Sequence, residues 1–112
     1  MRYLLLLYGD AQAEAALTTD ERRTIVEAHR RLGSELRAGG VLVEAEALAA
    51  SVATVRMGDG RATVTDGPFA ETREQLGSFY LLECESLDQA IAHAKRIPES
   101  PGLAVEVIPV DR

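Results

Sequence analysis

Two segments of the chain are apolar on both alternating faces. Residues 2–8 place Tyr3, Leu5 and Leu7 on one side and Leu4, Leu6 and Tyr8 on the other, and residues 77–84 repeat the pattern as far as Glu83. Each reads as a strand, and a strand apolar on both faces has to be covered on both. Between them the period changes to that of a helix. Ile25, His29, Leu32 and Leu36 fall at spacings of four, three and four, while Arg23, Glu27, Arg30, Arg31 and Glu35 take the opposite side. Thr18 and Glu21 form a capping-box pattern at the start of this helix, and Gly39-Gly40 ends it after Ala38. Residues 9–17 read as a loop and residues 41–49 as a further strand. Residues 52–57 and 61–65 read as a hairpin turning at Gly58-Asp59-Gly60. A second capping-box pattern, Ser86 to Gln89, starts a helix running to about Ile97, with Leu87, Ile91, Ala94 and Ile97 inward. Pro98 and Pro101 stop it. Residues 103–110 form the last strand, and Pro109 near its end suits an edge position.

The order β-α-β-hairpin-β-α-β, less the hairpin, is βαββαβ, which predicts an α+β, ferredoxin-like fold over one domain, residues 1–112. Two helices cover only one face of such a sheet. The two-faced strands therefore predict a homodimer in which two sheets face each other.

The candidate chemistry starts at the turn Asp66-Gly67-Pro68-Phe69. Gly67 can take positive φ, and Pro68 fixes its own φ and has no N–H to donate. Turns on a rigid scaffold are where binding groups sit, which makes Asp66 a candidate general acid or base and Phe69 a candidate wall. The alternative is that Asp66 caps the turn and Phe69 plugs the core. Burial beside apolar groups would raise the Asp66 pKa, and backbone N–H bonds would lower it. His29 stands on the apolar stripe of the first helix, where it is either a general base facing a cavity or a core histidine with one partner. Glu71 and Arg73 could orient a polar ligand, Arg73 as a bidentate carboxylate partner, or be a solvated connection. Glu46 lies among Ala45, Ala47 and Leu48, which is either a lined space or the exposed side of a strand. Tyr80 is a core aromatic whose phenol needs a partner.

Composition narrows the field. The net charge of −6 disfavours nucleic acid. The run Leu4 to Leu7 is too short for a signal peptide or a membrane span, so the expected location is cytoplasmic. With one cysteine, Cys84, no intramolecular disulfide forms. There is no His/Cys cluster at metal-ligand spacing, no dinucleotide or phosphate-loop glycine motif and no nucleophile elbow. Neither a metal nor a cofactor is expected.

The run from Asp66 to Gly77, continuing into Phe79-Tyr80-Leu81, resembles the signature of the DGPF subfamily of YCII-related proteins. The opening residues 1–6, the helix end 38–42, residues 87–90 and the closing residues 105–110 extend the resemblance over nearly the whole chain. It implies the dimeric α+β barrel arrangement. YCII proteins proper are thought to use a histidine–aspartate pair. In the DGPF subfamily the helix position is often aromatic, so the motif does not carry that role onto His29. Two functions follow. One is an unidentified small molecule bound near the Asp66 turn, with or without cofactor-independent catalysis, Asp66 and His29 acting and Glu46, Phe69, Glu71, Arg73 and Tyr80 lining the site. The other is a regulatory module acting with an extracytoplasmic-function sigma factor, beside whose genes such proteins are often encoded.

Overall fold

The computed structural model describes residues 1–111. Strand β1 (Arg2–Asp10) is the centre of the fold, because its two apolar faces suit the most enclosed position. It pairs antiparallel with β5 (Glu74–Glu83) on one side and with β6 (Ala104–Pro109) on the other. β2 (Leu42–Ala47) pairs with β5, giving the order β2-β5-β1-β6. That is the strand order of a ferredoxin-like α+β sheet, with β6 at an edge as Pro109 requires.

Helices α2 (Thr19–Ala38) and α3 (Leu87–Ala94) cover one face. The core lies there: Tyr3, Leu5, Leu7, Tyr80 and Leu82 of the sheet meet Leu32, Leu36, Ala90 and Ile97, and Leu5 and Leu82 are at most 1% exposed. Cys84, just after β5, is buried with them as a free thiol. The other face presents Leu4, Leu6, Phe79 and Leu81, half-buried and covered by no element of the chain.

Both ends of α2 form as the sequence predicts. Thr18 Oγ1 accepts from Glu21 N–H at 3.1 Å, and Glu21 Oε1 accepts from Thr18 N–H at 2.9 Å. Gly40 turns left-handed at φ 73°, and the Val41 N–H reaches back to the Leu36 carbonyl at 2.8 Å, which closes the helix.

Three expectations are corrected. Residues 9–17 are not a loop: β1 runs to Asp10, whose carboxylate accepts from the N–H groups of Gln12 and Ala13 and caps a short helix, α1 (Ala11–Ala15). The alanine-rich run has helix propensity without an apolar stripe, so periodicity misses it. In α3 the buried residue is Ala90, while Leu87 in the first turn is 43% exposed, and regular helix stops at Ala94. The capping box at Ser86 is half formed. Ser86 Oγ accepts from Gln89 N–H, but Gln89 Oε1 accepts from Glu85 rather than from Ser86.

The hairpin β3 (Ala53–Gly58) and β4 (Arg61–Asp66) is a separate two-stranded sheet. Asp59 at φ 50° and Gly60 at φ 72° supply the two left-handed residues of its turn. The strands pack on each other and make no substantial contact with any other element. The described chain measures 46 × 41 × 18 Å. Its radius of gyration is 15.8 Å, against about 13 Å for a compact domain of this length. The hairpin is an arm.

Candidate functional site: the groove between α2 and the sheet

The stripe of α2 that begins at Ile25 leans over the end of the sheet where β1 leaves the core. A groove of about 1260 Å³ opens between them. Two features of the sequence make room for it. Gly33, in mid-helix, carries no side chain toward the space, and its nearest neighbour would be Leu42 Cδ2, 3.9 Å from an added Cβ. Gly77 sits at a bulge in β5: Leu7 pairs with Ser78 but Tyr8 pairs with Leu76. Bulges re-aim side chains and interrupt the ladder beside sites.

At the inner wall His29 Nδ1 lies 2.6 Å from the Tyr80 hydroxyl, with the ring centroids 5.9 Å apart. Tyr80 comes from the buried face of β5, and His29 from the α2 stripe, so one packing contact between helix and sheet makes the pair. Burial lowers the His29 pKa below its ordinary 6.5 and raises that of Tyr80 above 10.0. Both directions favour a neutral imidazole and an intact phenol at pH 7. With both groups neutral, either Tyr80 O–H donates to Nδ1 and Nε2 carries the imidazole proton, or Nδ1–H donates to the phenol oxygen and Nε2 is left as an acceptor. The second ring nitrogen is a donor in the first arrangement and an acceptor in the second.

The rest of the lining is mixed. Arg30 and Arg37 line the groove and form no ion pair among the described residues. They flank Gly33 at spacings of three and four. The sequence reading assigned Arg30 to the far side of α2 and did not consider Arg37 or Gly33. A mid-helix glycine between two arginines on one stripe is the signal that could have found them, since glycine costs a helix about 1 kcal/mol relative to alanine. Glu46 also lines the groove, exposed on β2 opposite Phe79.

The sequence candidates therefore divide. His29 and Tyr80 come together, and Glu46 borders the groove from the other face of the sheet, in register with Phe79. Asp66, Phe69, Glu71 and Arg73 do not line the groove; they stand exposed at the base of the arm and in the turn beyond it. Gly67 takes φ 101° as expected, and its N–H bonds the Val52 carbonyl at 2.7 Å. The Asp66 carboxylate forms neither a turn-capping hydrogen bond nor an ion pair among the described residues. Phe69, 71% exposed, lies under the Arg56 guanidinium at 4.6 Å rather than in the core. Among the described residues no three of His, Cys, Asp and Glu gather as metal ligands. Among the described residues no helix is long and apolar enough to cross a membrane.

Comparison with known proteins places this geometry in a family. The model of the YCII-related domain matches residues 1–111. The chain belongs to the YCII-related family. A relative is an uncharacterised protein of Rhizobium meliloti (strain 1021), 35% identical over 97 residues, a stretch covering 85% of this chain and 78% of that protein. Within this YCII-related chain the ferredoxin-like sheet, the His29–Tyr80 pair and the two unpaired arginines define the candidate site.

Proposed function

We propose that this YCII-related protein binds a small anionic molecule with an apolar body in the groove between α2 and the sheet, and that His29 and Tyr80 act on it as a proton-transferring pair. The observation that carries the reading is the 2.6 Å contact between Nδ1 of a half-buried histidine and a buried phenol at the inner wall of the groove. Small-molecule sites are largely apolar, with few convergent polar groups. Leu17, Ile25 and Leu48 supply apolar lining, and Arg30 and Arg37 supply positive charge for a carboxylate or phosphate. The chemistry needs only these side chains, so catalysis, where present, is independent of a cofactor.

The protein acts as a homodimer of the dimeric α+β barrel type. The bare apolar residues Leu4, Leu6, Phe79 and Leu81 support a second sheet packed against this one. The resemblance of residues 66–77 supports assignment to the DGPF subfamily. A second reading, a module working with an extracytoplasmic-function sigma factor, is favoured by the exposed apolar residues of the arm and the net charge of −6, which suits a basic partner.

A thermal-shift screen against carboxylated and phosphorylated metabolites separates these readings. A ligand at a hundred times its Kd stabilises by about 2.7 kcal/mol, a shift on the order of ten degrees for a domain of this size. The expected result is a hit whose shift disappears in Tyr80→Phe and in His29→Gln. No shift with any compound, or a shift retained in both variants, contradicts the groove reading.

A further inference from the structure

We propose that the β3–β4 arm crosses to a second copy of the chain and lies with its apolar face against the rim of that copy's groove, so that each groove is walled by its partner's arm. The inference rests on the homodimer reading above and adds to it which element completes the site.

The arm has one apolar face and one polar face. Val55 pairs with Val64 and Met57 with Ala62 on the first, and Thr54 pairs with Thr65 and Arg56 with Thr63 on the second. Such alternation marks a hairpin with one face covered. Here nothing of its own chain covers it: Val55 is 57% exposed, Met57 78% and Val64 65%. The polar face, in contrast, already has local partners, with Arg56 over Phe69 and Thr54 Oγ1 donating to the Gly67 carbonyl at 2.7 Å. An isolated two-stranded hairpin is marginally stable in water at best, so the ordered arm needs a surface.

Three observations identify that surface as a second copy. The first is area. A standard interface covers about 800 Å² of accessible surface per partner, and a hairpin of two six-residue strands, about 20 Å long, adds from each side to what the bare sheet face supplies. The second is charge. Arg56, Arg61 and Arg73 balance Asp59, Asp66 and Glu71, so the arm and its turn are neutral and the net charge of −6 resides on the body. A neutral arm meets an acidic body without repulsion. The third is the groove itself. At about 1260 Å³ it exceeds the usual ~300–1,000 Å³ of ligand pockets, and Val26, Leu48 and Leu76 on its lining are each more than 40% exposed. The arm springs from this rim, between Ala50 and Gln75.

The test combines sedimentation with intermolecular paramagnetic broadening. Unlabelled Thr63→Cys protein carrying a nitroxide is refolded together with ¹⁵N-labelled wild type; the buried Cys84 stays in place. With the nitroxide protein in about threefold excess, the expected result is a dimer in which the amide signals of Val26, Leu48 and Leu76 lose more than half their intensity until the nitroxide is reduced. Met57→Asp is expected to weaken the dimer at least tenfold with its far-ultraviolet dichroism unchanged. A dimer without intermolecular broadening at these amides overturns the crossing arm and leaves the homodimer standing. A monomeric wild type overturns both.

Discussion

His29 is where burial, hydrogen bonding and titration meet. Its folded pKa lies below 6.5 because burial penalises the imidazolium. Above pH 6.5 the folded and unfolded chains both hold a neutral imidazole here. Below it the unfolded chain binds the proton first, so the contribution of His29 to stability is lost as pH falls toward the folded pKa. An NMR titration of the imidazole is expected to give a midpoint below 6.5 in wild type. In Tyr80→Phe the phenol hydroxyl is gone while the ring still fills the core, and the midpoint should move, upward where the hydroxyl donates to Nδ1 and downward where it accepts from it. An unchanged midpoint would separate the two side chains energetically. The sequence offered His29 on an apolar stripe and Tyr80 on a buried strand, each wanting a partner. It did not offer their pairing, because they stand 51 positions apart and the contact is set by how α2 crosses the sheet.

At the scale of elements, most of the chain was legible because each signal is local. The box at Thr18, the glycines after Ala38 and the Asp59-Gly60 turn are read from a few adjacent residues and form as read. The misreadings have physical causes. Asp10 and an alanine run make a helix without periodicity, and the turn of α3 that reaches the core is set by docking, which chooses Ala90 over Leu87. Gly33 is the element-scale feature that bears most on function. Its helical backbone accepts alanine, and an added Cβ meets Leu42 Cδ2 at an ordinary 3.9 Å. Gly33→Ala is expected to stabilise the fold by about 0.5–1 kcal/mol in chemical denaturation. The same methyl narrows the groove and should weaken a ligand found by the thermal-shift screen. A variant that gains stability and keeps full affinity would place the ligand elsewhere.

At the scale of the whole molecule, the two-faced strands carried the most information. They predict a sheet with one face left for a partner, and the structure has that sheet: Tyr3, Leu5 and Leu7 inside, Leu4 and Leu6 uncovered by the chain. The Asp66 turn, the part of the sequence that stands out most as a motif, lies apart from the groove in the single chain. A motif names a local conformation, and Gly67 adopts it, but the function of a turn depends on what it meets. The groove, its His29–Tyr80 wall and its arginines are the central claim, and the imidazole of His29 reports on it directly. The decisive measurement follows the His29 ring resonances and their titration midpoint while an anionic ligand from the thermal-shift screen is added. The account predicts that the resonances shift at saturation and that the midpoint rises, because a bound anion favours the imidazolium. Resonances and midpoint indifferent to a saturating ligand would contradict it.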